Sequence, residues 1–525
     1  MTISNLLLSV GLCLSLTAFA QDNISGVVYD DKNHNGKIDK GEIRLPNVAV
    51  SNGQEVVTTN SNGEYTLPVG DDNVIFVIKP SGYTFPLDSN NLHQFYYIHK
   101  PKGSPEALKY AGSSPTGKLP KSLDFALHQQ DESKRFNLFV FGDPQTYTEE
   151  EVAYFKQGII QDIKAKDHIA FGLSLGDLVG DDLSLHPDYQ SAVAALNLPW
   201  FNVMGNHDMN YDVTVDSLSD ETFEKNFGPA NFSFNYGNAH FIILDNIIYP
   251  NPETGKGYTG GFREDQLTFL ANDLKLVPKE KLIVIAYHIP LFLNDKSSSH
   301  FRSADRQRLM DLLAPFPNTL SLSAHTHFQT QVYFNKEDGW NREKPHHEYN
   351  VGTTSGDWYS GEMNEQGVPV STMRDGTPKG YVTLHIDDNT YAFDYKVAGK
   401  PKEYQISLTG AEIMSEKYVR RHNLYANFFV GTEKDTVQYR VDGGQWKDME
   451  YAEEADPDYA FETLKYDHAK ETIKEGRRPS DAVPSTHLWK VRYPKLSVGM
   501  HQIEVRAVDM FGQEHRATKS VEITH

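Results

Sequence analysis

Five short runs in the middle of this 525-residue chain carry side chains that can hold divalent cations: Gly142-Asp143-Pro144-Gln145, Gly176-Asp177, Gly205-Asn206-His207-Asp208, Tyr287-His288 and Ala324-His325-Thr326-His327. Carboxylate, amide oxygen and imidazole are the oxygen and nitrogen donors that suit Mg, Mn, Fe and Zn. Each run directly follows an apolar stretch, such as Leu138-Phe139-Val140-Phe141 or Leu282-Ile283-Val284-Ile285-Ala286. Open sheets place their sites at such strand ends. Singly, each run is ordinary, since Gly-Asp is common in turns and a lone His is more often structural than a ligand. Five in succession at strand ends point to metal chemistry.

Positioning these residues requires a layered domain. Apolar strands at Leu138–Phe141, Ala170–Leu175, Phe201–Met204, Phe241–Leu244 and Leu282–Ala286 alternate with helical periodicity over Thr148–Lys166, Glu264–Leu276 and Ser303–Leu313. This pattern predicts an α/β domain over residues 131–398. Residues 21–130 show short alternating runs with turn signals, and residues 399–525 return to that pattern, predicting all-β immunoglobulin-like domains at both ends. The charged stretch Tyr451–Pro484 is expected to be an excursion between strands.

Within the first β-domain, Asp31, Asn33, Asn35, Lys37, Asp39 and Glu42 occupy positions 1, 3, 5, 7, 9 and 12 of a calcium-loop template, with Gly36 at position 6. Strands, not helices, are expected to flank it. The loop resembles that of Cna-B or Sdr-B type repeats of surface proteins, and a structural calcium ion is therefore expected.

Residues 1–20, with the apolar run Leu6–Leu16 and the small-residue signal Ala18-Phe19-Ala20, are expected to be a removed signal peptide, which makes the protein exported: periplasmic, secreted or on the cell surface. The single cysteine, Cys13, lies inside that segment. Metal ligands must then be His, Asn, Gln and carboxylates. No later segment is apolar enough to span a membrane. The net charge of −21 disfavours a nucleic-acid polymer as partner, because non-specific attraction needs a basic face.

The order Asp-x-Gln, Gly-Asp-x-x-x-Asp, Gly-Asn-His-Asp, His and Ala-His-Thr-His resembles the calcineurin-like metallophosphoesterase superfamily, in a bacterial subgroup with added β-domains at both ends. The resemblance implies a central β-sandwich flanked by helices. It implies two divalent ions, one on Asp143, Gln145, Asp177 and His327, the other on Asp177, Asn206, His288 and His325, with Asp177 bridging. It also implies a bridging hydroxide that attacks phosphorus, with His207 protonating the leaving group and Asp208 orienting His207. Gln145 stands where the family usually has His, and Ala324 where it has Gly. The metal is left open among Mn, Mg, Fe and Zn.

The loops containing Asp357-Trp358-Tyr359 and Arg374-Asp375 have the composition of a recognition surface. Their length favours a diester or a diphosphate-linked sugar, nucleotide or lipid head group as substrate. A phosphomonoester on the same site, or a non-catalytic surface-binding protein, are the alternatives.

Overall fold

A computed structural model describes residues 22–525 except 165, 167, 294–298, 470, 472 and 474. The expected signal segment lies outside the described residues. Among these residues no helix is long and apolar enough to cross a membrane.

Two sheets form the centre. In one, strands Trp200–Asn202, Ile169–Ser174, Arg135–Phe141, Gly380–Asp387 and Thr390–Val397 lie side by side in that order. In the other the order is Phe232–Tyr236, Ala239–Ile243, Leu282–Ala286, Asn318–Ser323, His346–Asn350 and Thr330–Phe334. Strands that precede the metal-type runs pair in parallel, 135–141 with 169–174 and 169–174 with 200–202, and likewise 282–286 with 318–323. Their carboxyl ends therefore emerge on one edge of each sheet. The strands are near-continuous apolar runs because both faces are covered. Leu282–Ala286 is buried throughout. Helices Glu264–Leu274 and Ser303–Leu313 match the expected periodicity, and both bury Leu, Met or Phe at helical spacing. The expected helix after Thr148 is shorter and irregular: Thr148 caps Glu149–Phe155 through a bond from the Glu151 amide, and a π-type turn follows at Lys156–Ile160.

Sheets also make up the flanks. The first region has strand Asp22–Asp30 between Ile43–Arg44 and Phe125–Gln129, beside a second sheet of Ala49–Ser51, Val56–Thr58, Asn73–Ile78 and Tyr96–His99. The last region has a four-stranded and a five-stranded sheet between Ile406 and Thr524, with Gly499–Val508 and Glu514–Thr524 as its longest pair.

The stretch expected to be a plain excursion is more than that. Its Asp456 caps helix Pro457–His468, and Gly476–Arg477 pairs with Gly361–Glu362 of the central region. Charge and proline mark it as surface in sequence, but the chain folds it back on the loops beside the metal-type residues.

Candidate metal centre

The turns after the strands hold unusual backbone. Asp143, Gln145, Asp177, Asp181, His325, His327, Trp358 and Tyr359 all have positive φ, between 36° and 75°. Side-chain-bearing residues adopt such angles at a cost of order 1–3 kcal/mol, and do so where the surroundings over-determine them. Here the turns are pinned by bonds between runs: the Gln145 amide donates to the Asp177 carbonyl at 2.7 Å, and the Ser355 hydroxyl to the Asp143 carbonyl at 2.6 Å. Gly205 is required by close approach, since a Cβ there would lie 1.9 Å from the Asp177 nitrogen.

Seven of the expected side chains converge. His288 donates from Nδ1 to the Leu175 carbonyl at 2.8 Å, which turns its Nε2 inward. That nitrogen lies 3.2 Å from Asp177 Oδ2, 3.1 Å from Asn206 Oδ1 and 3.2 Å from His325 Nδ1. His327 likewise donates from Nδ1 to the Gly356 carbonyl at 2.9 Å, aiming Nε2 at Gln145 Oε1, 2.6 Å away, and at Asp143 Oδ1, 3.8 Å away. Asp143 joins the two groups by accepting from the His325 amide at 3.1 Å on both oxygens.

Donor chemistry tests whether cations fit. Around His288 Nε2 sit a carboxylate oxygen, an amide oxygen and a second imidazole nitrogen, all electron-pair donors with at most one proton to share. Such a cluster is satisfied by a cation, and backbone carbonyls fixing the far ring nitrogens are how proteins orient ligating histidines. Asp177, His288 and His325 alone bring ligand atoms within 4.8 Å of one another. The residues present fit two divalent ions.

Burial holds His325 and His327 down to about 3, so both imidazoles are neutral. Burial also pushes Asp143 up to about 7. Burial opposes charge on Asp177 too, but the His288 and His207 cations outweigh it and hold that carboxyl below its ordinary range. His288 and His207 are both raised to about 9 because the Asp177 charge overcomes desolvation.

His207 faces outward. Its ring is 24% exposed, and Nδ1 lies 2.7 Å from Asp181 Oδ1. This corrects the expectation for Asp208, whose carboxylate is fully buried and accepts from the amides of Leu178, Val179 and Gly205 and from His186. Adjacent positions in this tight turn point to opposite sides, so Asp208 braces the loop, and Asp181 is the partner of His207. Asp181 is the last residue of the Gly-Asp-x-x-x-Asp run, so the sequence already contained the signal.

The recognition loops divide. Trp358 stacks on His327 with ring centroids 4.0 Å apart and donates to Gln145 Oε1 at 2.7 Å. Arg374 lies 5.9 Å from the Trp358 ring and donates to the Thr326 carbonyl. The other three are structural in contact. Tyr359 donates to the Pro144 carbonyl, and Asp357 Oδ2 accepts from Ser360 and the Ser480 amide. Asp375 accepts from the Gln329 and Thr377 amides and meets buried His487 at 3.0 Å, which turns it away from the centre. Tyr147, 6.0 Å from the His207 ring, and Tyr258, 6.1 Å from the His325 ring, also border the site. Isolated tyrosines in loops carry no spacing signal.

With this geometry in view, comparison with known proteins is direct. Residues 136–329 match the family model described as calcineurin-like phosphoesterase, residues 32–113 match the model for the N terminal of calcineurin-like phosphoesterase, and residues 348–515 the model for its C terminal. The chain belongs to the calcineurin-like phosphoesterases, in the form that carries both extensions, and this is a family of hydrolases acting on phosphate esters. A probable glycerophosphodiester phosphodiesterase from Arcobacter nitrofigilis is 26% identical over 150 residues, 28% of this chain and 52% of the relative, so the chain spans about half the length of that curated relative. Among solved structures, a dimetal phosphatase from Danio rerio aligns with a TM-score of 0.36 at 13% identity, over 50% of this chain and 96% of that one. A purple acid phosphatase from yellow lupin, Lupinus luteus, aligns with a TM-score of 0.37 at 13% identity, over 67% of each chain.

Proposed function

We propose that this protein is an exported, metal-dependent phosphoesterase acting on a phosphodiester or a diphosphate-linked sugar, nucleotide or lipid head group. The reading is carried by two adjacent groups of electron-pair donors, Asp177, Asn206 and His325 around His288 Nε2, and Gln145 and Asp143 around His327 Nε2, with His207 at the open side. Asp143, Gln145, Asp177 and His327 would hold one ion, and Asp177, Asn206, His288 and His325 the other, drawn from Mn, Mg, Fe or Zn. Bound there, two divalent ions supply Lewis acidity toward phosphoryl oxygens and water activation at neutral pH.

The chain's own residues do the rest. Hydrolysis breaks the bond from phosphorus to the leaving oxygen, the oxygen of water ending on phosphorus and a proton on the leaving oxygen. His207 can deliver that proton, because Asp181 fixes its ring through Nδ1 and leaves Nε2 free for the substrate. Trp358 covers His327 by stacking on its ring. Elemental analysis tests the assignment. Asp177→Ala should lose both ions and Gln145→Ala mainly one, and equal, full metal content in both variants would refute it.

The flanking β-domains are read as immunoglobulin-like modules, supported by their paired sheets. The loop Asp31–Glu42 is read as a structural calcium site, supported by the side chains gathered there: Asp39 Oδ2 accepts from both Asn33 and Asn35 at 2.7 Å, Asp31 from the Asn35 and Gly36 amides, and Glu42 from the Lys32 and Asp39 amides. Lys37 would contribute only its carbonyl. Ca²⁺ should raise the Tm of the full chain by mass action, and Glu42→Ala should abolish the shift; no shift at millimolar Ca²⁺ ends this part of the reading.

A further inference from the structure

A cavity of about 310 Å³ opens beside the metal-type residues, lined by Tyr147, Asp357, Trp358, Arg477, Arg478 and Ser480. Two of its walls touch the centre through one residue: Gln145 donates to the Tyr147 hydroxyl at 3.3 Å and accepts from the Trp358 indole at 2.7 Å. Tyr147 also meets the His207 ring edge-on at 6.0 Å. A group that departs past His207 therefore has this cavity as its neighbour.

The charge in the cavity is uneven. Arg478 is taken up by Asp467 and Asp481. Arg477, also exposed, has no carboxylate within ion-pairing distance among the described residues, and its guanidinium donates only to the Trp358 carbonyl. That bond, and the pairing of Arg477 with Gly361, hold it at the cavity wall. In a chain with 71 acidic and 50 basic residues, a guanidinium whose acidic neighbours, Glu151 and Asp357, are not in ion-pairing contact with it is a cation still open to an anionic ligand beside the metal-type residues. Arg374 repeats the feature near the Trp358 ring: it too lacks a carboxylate among the described residues, and its buried Nε has no hydrogen-bond partner.

The geometry points to Arg477, brought in by the C-terminal region, as the residue that selects substrates whose leaving group bears its own negative charge, a second phosphoryl or a carboxylate, and to the Tyr147–Trp358 cavity as the place that group occupies. The inference rests on the phosphoesterase reading and narrows it. A planar guanidinium suits a phosphoryl or carboxylate group because it binds two oxygens at once. Neutral or cationic head groups gain nothing from it.

Two measurements on the manganese-loaded full chain decide the matter. The first compares kcat/KM for a nucleoside-diphosphate sugar with that for bis(4-nitrophenyl) phosphate, whose leaving group carries no charge on the cavity side. Arg477→Gln should lower the ratio of the two roughly 10–100-fold, the change residing in KM, and Arg477→Lys should recover part of it. An unchanged ratio, whether both substrates suffer equally or neither suffers, overturns the inference and leaves Arg477 as a brace for Trp358. The second is calorimetric binding of methylenediphosphonate to wild type and Arg477→Gln. Weaker binding of the same order supports the inference and equal binding overturns it. A wild-type protein without activity on any phosphoester would sink the phosphoesterase reading, while the calorimetry would still decide Arg477.

Discussion

The two flanking β-regions meet the central sheets in opposite ways. The first docks through buried charge and aromatic packing, and its Tyr110 also reaches the loop after His207, where its carbonyl accepts from the Asn210 side chain. Lys100, 4% exposed, pairs with Glu221 at 2.8 Å and Glu224 at 3.1 Å; Lys79 pairs with Glu132; Phe76 packs edge-on against Phe269. The last region docks onto the loops that carry Trp358 and Arg374. His487 holds Asp375, the Val483 amide donates to the Arg374 carbonyl, the Ser480 amide to Asp357, and Arg477 to Trp358. One interface is built mainly of buried ion pairs and packed rings, whereas the other is built on the loops that carry Trp358 and Arg374.

A residue of the first interface that altered turnover, or one of the second that altered stability alone, would erase the difference between the two. The scale of chemistry is set at the centre: His207→Ala should keep its metals yet lose about 10²–10⁴-fold on an alkyl ester, and much less on a nitrophenyl ester whose leaving group needs little protonation. Loss of metal in that variant would make His207 a ligand. Next, Lys100→Ala leaves Glu221 and Glu224 buried without their cation, which should cost about 3–5 kcal/mol in chemical denaturation. The folded fraction of the variant should show unchanged kcat and KM; altered kinetics would place the first region in the mechanism.

His487→Ala strips Asp375 of a buried partner and should cost about 1–3 kcal/mol. Unlike the lysine variant, it should also raise KM, because the same contact holds the Arg374 loop; an unchanged KM would make this interface as passive as the other. The smallest effect concerns pH. Burial raises Asp245 to about 8 against the opposing Arg263 charge, with Asp216 and Asp220 nearby. The folded protein then keeps a proton that an unfolded aspartate releases near pH 4, so stability falls as pH rises from about 4 to about 8. Asp245→Asn should flatten that part of the Tm profile, and an unaltered slope would assign it elsewhere.

Local sequence determined the candidate ligand types and where they stand, because each sits at the end of an apolar run and strand ends are the edge at which a layered sheet exposes polar groups. It also determined the family, since Asp143, Gln145, Asp177, Asn206, His288, His325 and His327 follow one another in a characteristic order. Which carboxylate steadies His207 was decided only by the tertiary structure. Asp208 is adjacent in sequence, but the 3-10 turn Asn206–Asp208 points it into the core, and the left-handed backbone of Asp181 brings that residue to the ring instead. The role of Arg477 had no local trace either. It lies 119 positions from Trp358 in a charged segment that reads as solvated surface, and only the pairing of Gly476–Arg477 with Gly361–Glu362 places it at the cavity. Ligand identity is written in short-range patterns because strands and turns are local. Recognition is assembled from contacts between distant segments, whose partners are chosen by packing and not by spacing.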